Sequence, residues 1–325
     1  MWQYMINHRI SVAPMMDRTD RHERYFLRLI SRRALLYTEM VTSDAVLYGN
    51  AERVYAFDPV EHPVALQLGG SDPVALAEAA TCGAEMGYDE INLNIGCPSA
   101  RVSVARFGAC LMADPVLVAS CTRAMSDAVD IPVTVKTRIG IDDHESYEDL
   151  SEFVSRVAEG GCRTFIIHAR KAILSGISPK ENRTIPPLKY EFVYRLKNDF
   201  PGLEIVLNGG VLSLDAAAQH LVHVDGVMIG RAAYKDPYLL ADVDRRFYCD
   251  PSLPRSRHQV IDALKPYIAQ WLKKGMHLSC ITRHVLGLFH GQPNSRVWRR
   301  HLGENACRPG ADVAVIEAAM NALMI

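Results

Sequence analysis

None of the eight cysteines falls in a C-x-x-C pair, so neither a disulfide framework nor a zinc site is indicated. Reduced thiols are expected. No apolar run approaches the roughly 18 residues of a membrane span, which excludes a helical anchor in the sequence read here. The opening stretch MWQYMINHRISVAPM lacks the basic-then-apolar build of a signal peptide. The expectation is therefore a cytoplasmic protein with no membrane attachment. Also missing are a dinucleotide fingerprint, a solenoid-type repeat and any low-complexity segment. With 49% apolar and 22% charged residues in 325, the composition is that of a globular chain long enough for one large domain and a small one.

Net charge is close to zero, at −1, but it is unevenly spread. Between Arg255 and Gly310 there are ten Lys/Arg against two acids, Asp262 and Glu304, and five histidines lie in the same stretch. Most charge runs are simply solvated helix faces. A one-sided excess of this size repels itself unless something anionic offsets it, and so points to a polyanion partner.

Eight short β-branched runs alternate with longer amphipathic ones. They are RISVAPM from Arg9, ALLYTEM from Ala34, VALQLGG from Val64, INLNIGC from Ile91, PVTVKTRIG from Pro132, TFIIHAR from Thr164, EIVLNGG from Glu204 and GVMIGR from Gly226. Strand–helix alternation implies a parallel sheet, and eight repeats fit a (β/α)8 TIM barrel, with a doubly wound open sheet as the runner-up. After the Pro-containing break CDPSLPRSR only helical patterns follow. The expected division is thus a barrel over 1–250 and a small all-helical domain over 251–325.

A strand buried on both faces should be almost entirely aliphatic. Five of these strands carry a polar residue near the C-terminal end: Gln67, Asn94, Lys136, His168 and Asn208. Alternation along a strand puts Asn92 on the face of Asn94, Arg138 on that of Lys136 and Arg170 on that of His168. Any one alone is more often a satisfied structural residue. In a parallel barrel, however, all five converge on one mouth, where barrel enzymes keep their chemistry. A polar, planar, partly anionic ligand would satisfy them. A metal fits poorly, because one His and one Cys stand there without a carboxylate. Glycines at the ends of the last two strands, Gly209 with Gly210 and Gly230 followed by Arg231, suit a phosphate, since backbone N–H groups can approach it closely. With the cationic Lys136 nearby, FMN is a good candidate. Cys97, just beyond the fourth strand, remains open at this level between buried thiol, metal ligand, nucleophile and acid.

Several long stretches settle the comparison. SVAPMMDRTDRHERYF, LQLGGSDP, YDEINLNIGCPSARV, FGACLM, PVTVKTRIGIDD, FIIHARKA, LSGISPKENRTIPPL, DGVMIGR and LGLFHGQPNSRVWRRHLGENA together resemble the tRNA-dihydrouridine synthases, in particular the bacterial DusA subfamily, over nearly the whole chain. The resemblance implies an FMN-bound barrel followed by a helical tRNA-binding domain. It also implies NADPH-dependent reduction of the uracil C5–C6 double bond in the tRNA D-loop, at uridines 20 and 20a, with no obligate protein partner. By motif, Pro14, Met15 and Met16 would line the flavin, and Gln67, Lys136 and His168 would contact its ring and ribityl region. Asn208, Gly209, Gly210, Gly230 and Arg231 would hold its phosphate end. Cys97 would be the catalytic acid, and Asn94, Lys180, Arg183, Arg296 and Arg299 would face tRNA. Two positions depart from the family pattern: Ala105 where glycine is usual, and Ile173 where an aromatic is expected. Two rivals stand beside this reading. A dihydroorotate dehydrogenase-like flavin barrel acting on a free pyrimidine has no use for a basic helical appendage. A non-catalytic tRNA-binding protein has no use for the convergent Lys136, His168 and glycines.

Overall fold

The computed structural model describes residues 6–99 and 106–323, so Ala105 lies outside the described residues. Among the described residues nine strands form one all-parallel sheet: β1 (Ile10–Val12), β2 (Leu36–Tyr37), β3 (Val41–Thr42), β4 (Val64–Gly69), β5 (Glu90–Ile95), β6 (Val133–Arg138), β7 (Thr164–His168), β8 (Glu204–Asn208) and β9 (Gly226–Ile229). Pairing runs β2-β4-β5-β6-β7-β8-β9-β1, with β3 beside β4. The ring closes through a parallel bridge from Ser11 to Leu35, where Val12 N–H donates to Leu35 O (2.9 Å) and Leu35 N–H to Ile10 O (3.1 Å). This is the expected (β/α)8 barrel. All eight strand patterns are present.

The second pattern divides into β2 and β3. Between them the Thr38 hydroxyl accepts the Gln67 N–H (3.0 Å), taking the place of a ladder carbonyl. A side-chain bond of this kind lets the strand jog without orphaning a buried donor.

Helix starts follow local chemistry. Asp72 and Asp114 each cap a helix whose first turn carries a proline (Pro73–Met86 and Pro115–Ala128), and Ser146 and Asp149 form a capping box for Tyr147–Glu159. One side of the barrel interior is apolar, built from Ala13, Leu35, Tyr37, Ala65, Ile166, Val206 and Met228. The side formed by β4, β5 and β6 carries the polar groups described below.

The chain clusters into two compact units. The first gathers the residues up to Met16 with Leu35–Phe57 and His62–Gly230, and contains the barrel. The second gathers Asp17–Ala34, Asp58–Glu61 and the chain from Arg231 on. In the second, Asp20 caps the helix Arg21–Ile30 through the N–H groups of His22 and Glu23. Its other carboxylate oxygen meets His284 (3.1 Å), whose far nitrogen lies 3.1 Å from Glu23. Burial opposes the His284 charge, but these two carboxylates outweigh it and raise its pKa to about 9. Trp298 is fully buried and donates to Val285 O (3.1 Å), which anchors the helix Ser295–Asn305. Among the described residues, no helix is long and apolar enough to cross a membrane.

Candidate active site

Barrel closure brings the C-terminal ends of β4 to β8 side by side. Register places Asn94 beside Lys136, Arg138 beside His168, and His168 beside Asn208. The polar residues expected at the mouth therefore stand on adjacent strands, as their sequence positions required.

Cys97 sits in a tight turn directly after β5. The Asn94 carboxamide oxygen accepts from the N–H groups of both Gly96 (3.0 Å) and Cys97 (2.9 Å), and its nitrogen donates to Gln67 Oε1 (2.8 Å). An asparagine that caps two successive backbone donors fixes the direction in which the chain leaves the strand. Cys97 is half-buried, and Ala109 N–H closes the loop onto its carbonyl (3.0 Å).

Lys136 is half-buried at the mouth, and among the described residues its ammonium has neither an ion pair nor a hydrogen bond. Burial, together with the charge of Arg138, lowers its pKa to about 7, with Cys97 pulling the other way. Arg138 is committed elsewhere. It donates to Gly96 O (2.9 Å), Lys171 O (2.8 Å) and Asn182 O (3.1 Å), tying the cysteine turn to the loop that follows β7. Burial pushes its pKa down to about 10, opposed by Cys97 and reinforced by Arg183 and Arg170.

That loop holds Lys180 and Arg183, both exposed. Asn182, fully buried between them, accepts from Ile173 N–H (2.8 Å) and donates to Ile173 O (2.8 Å). Ile173 is thus held in place through its backbone.

At the far side of the mouth, Gly209 (φ +112°) and Gly210 (φ +73°) adopt backbone conformations that disfavour any other residue. A Cβ on Gly209 would lie 2.6 Å from the His168 ring, and one on Gly210 would lie 2.6 Å from the Tyr190 hydroxyl. That hydroxyl donates to Gly209 O (2.9 Å). Side chains of His168, Leu188 and Tyr190 press on this bare backbone, and N–H groups of residues without a Cβ are of the kind a phosphate can approach closely. Asn208 uses its amide nitrogen on Met228 O (2.8 Å), joining β8 to β9. Pro14 and Met15 are half-buried past the end of β1, and Met16 is exposed. Gly230 ends the first unit, and Arg231 opens the short helix Arg231–Lys235 of the second. Arg296 and Arg299 belong to the second unit too, exposed and three residues apart on Ser295–Asn305, hence on one face.

Arg138, Asn182 and Tyr190 are not among the site residues that the sequence motifs mark. Arg138 was recognisable as sharing the face of Lys136. Asn182 and Tyr190 act through backbone groups distant in the chain, and nothing local marks them.

The family model described as "Dihydrouridine synthase (Dus)" matches residues 11–323. The chain is 58% identical over 313 residues to a protein of Vibrio vulnificus named tRNA-dihydrouridine(20/20a) synthase, covering 96% of each. Proteins of the same name from Synechocystis (57% identical, 96% of this chain and 94% of the relative) and Escherichia coli K12 (58%, 96% and 90%) align equally well. A match of this extent, on a barrel whose mouth gathers the polar residues the motifs single out, places the chain in the dihydrouridine synthase family.

Proposed function

We propose that this chain reduces uridine to 5,6-dihydrouridine in the D-loop of tRNA, at positions 20 and 20a, with FMN bound at the barrel mouth and NADPH as its transient reductant. The observation that carries the reading is Lys136, a half-buried lysine beside Cys97 whose ammonium has no ion pair or hydrogen bond among the described residues, with the bare backbone of Gly209 and Gly210 two strands away. An anionic, planar ligand would answer both features. The names of the relatives support the tRNA substrate and its two positions.

When bound, the reduced flavin would supply hydride to uracil C6. The residues of this chain do the rest. Lys136 and His168 would hold the ring and its ribityl arm. Gln67 retains one N–H and one lone pair beyond its bonds to Asn92 and Asn94, enough to fix the ring edge. Gly209 and Gly210, with Asn208, Gly230 and Arg231, would receive the phosphate end, and Pro14, Met15 and Met16 the apolar rim. Cys97 would give its proton to C5 from the opposite side of the base, completing saturation. Asn94 has one amide hydrogen left for a uracil oxygen.

The target base must leave the folded tRNA, at a cost of a few kcal/mol. Phosphate contacts from Lys180, Arg183, Arg296 and Arg299, and from the basic helices of 251–325, would offset that cost. The test is anaerobic stopped flow. NADPH should bleach the flavin, and unmodified tRNA should restore its colour in a single turnover. A purified protein with no flavin, or reduced flavin that tRNA leaves unoxidised, contradicts the reading.

A further inference from the structure

Barrel interiors are ordinarily packed with branched aliphatic side chains. Beneath Asn94 this one is polar down to the opposite end. Glu90, Asn92 and Asn94 stand two apart on β5 and so share its inner face. Asn94 donates to Gln67 Oε1 (2.8 Å), Gln67 to Asn92 Oδ1 (2.7 Å), Asn92 to the Thr134 hydroxyl (2.8 Å), and that hydroxyl to Glu90 Oε1 (2.6 Å). Glu90 also accepts from Tyr37 (2.8 Å) and pairs with His8 (2.6 Å). His8 Nδ1 lies 3.0 Å from Glu204, an ion-pair distance off the axis of a linear hydrogen bond. Glu90, Gln67, Asn92 and Thr134 are no more than 1% exposed, so bulk water cannot substitute for any link.

Every bond in the column points the same way, and both ends require that direction. At the top the donors are backbone N–H groups of Gly96 and Cys97, which cannot accept, so Asn94 must present its oxygen to them. At the bottom a carboxylate paired with His8 accepts only, so Thr134 must donate to it. The three amides and one hydroxyl between these ends then have a single self-consistent arrangement. Reversing any one amide sets donor against donor or oxygen against oxygen.

We infer that Thr134, Asn92 and Gln67 form a one-directional hydrogen-bond relay, seated on Glu90, that positions the Cys97 turn through Asn94. Thr134 and Asn92 are thereby positioning residues for the reaction; this role rests on the reading of Cys97 as the proton donor. It explains why the inner face of β5 reads E-x-N-x-N when a barrel needs only aliphatics there.

The test uses Thr134→Val, which keeps the shape and deletes the hydroxyl, and Thr134→Ser, which restores it. Misplacement of a reacting group by about 1 Å can cost on the order of 100-fold. Single-turnover dihydrouridine formation by the prereduced holoenzyme should fall about 10- to 100-fold in Thr134→Val. Tight tRNA binding and NADPH-driven flavin reduction should stay near wild type, and Thr134→Ser should recover most of the rate. Amide hydrogen exchange at Gly96 and Cys97 reads the relay without turnover. It should be at least about tenfold faster in Thr134→Val and restored in Thr134→Ser. Should Thr134→Val fail to fold, Thr134→Cys, a weaker donor and acceptor, replaces it and should shift the same exchange in the same direction. Unchanged exchange overturns the relay whatever the activity, as does a rate loss equal in the serine and valine variants. Wild-type enzyme that forms no dihydrouridine, with the exchange pattern as expected, refutes the reaction and leaves the relay standing.

Discussion

Replacing Arg138 by methionine removes three hydrogen bonds at once, those to the carbonyls of Gly96, Lys171 and Asn182. Arg138 is only 3% exposed, so its partners cannot all turn to solvent. At about 1–3 kcal/mol for each carbonyl left without its donor, and allowing water to reach one of them, the loss is about 2–6 kcal/mol. The barrel strands keep their ladders, and Asp142 still receives Lys171 and Leu174. The loss should therefore fall on the loop 171–183 as local opening, not on the whole unit. At about 1.4 kcal/mol per decade, opening becomes roughly 30- to 20,000-fold more frequent. Hydrogen exchange of peptides spanning 171–183, and tryptic cleavage after Lys180 and Arg183, measure it directly. Arg138→Lys, with one point charge for a three-armed fork, should fall between the two. Exchange in Arg138→Met within about threefold of wild type would refute the assignment of Arg138 as the tie between turn and loop.

Three further outcomes follow from the same geometry. Burial and Arg138 lower the Lys136 pKa to about 7, and an anionic ligand favours its charged form. FMN affinity of the apoprotein should hence be greatest below pH 7 and decline by up to about tenfold per unit above it, a dependence that Lys136→Met removes; a pH-flat wild type between 7 and 9 contradicts the placement. Gly209→Ala forces φ +112° on an L-residue and drives a methyl into the His168 ring, so the protein should purify depleted of flavin, as read by visible absorbance, with a strain cost of about 1–3 kcal/mol in its melting curve. Arg296→Ala and Arg299→Ala should weaken tRNA binding and lower the slope of log affinity against log salt by about one each, leaving NADPH oxidation untouched; an unchanged slope removes them from the phosphate grip.

The eight strands could be read from the sequence because period-2 aliphatic runs bounded by amphipathic helices admit few architectures. The mouth could be read because Gln67, Asn94, Lys136, His168 and Asn208 each break an aliphatic strand at an equivalent place. The column under Asn94 was only half legible. Asn92 and Asn94 share a face by spacing alone, but Glu90 looks like an ordinary acid at a strand start until His8, 82 residues away, is seen to pair with it. The division of the second strand pattern depends on one hydroxyl, that of Thr38, meeting a backbone N–H of β4. Which helices cluster with the chain from Arg231 likewise depends on tertiary contacts, such as Asp20 and Glu23 around His284, that no local pattern announces.

The proposed reaction leaves a chemical product at a defined place. Incubating the wild-type protein with NADPH and tRNA made without modifications, then mapping dihydrouridine nucleotide by nucleotide, tests it most directly. Product is expected at uridines 20 and 20a and nowhere else, and none with Cys97→Ala despite bound flavin and retained tRNA affinity. Dihydrouridine at other positions, none at all from a flavin-loaded wild type, or wild-type turnover by the alanine variant would contradict it.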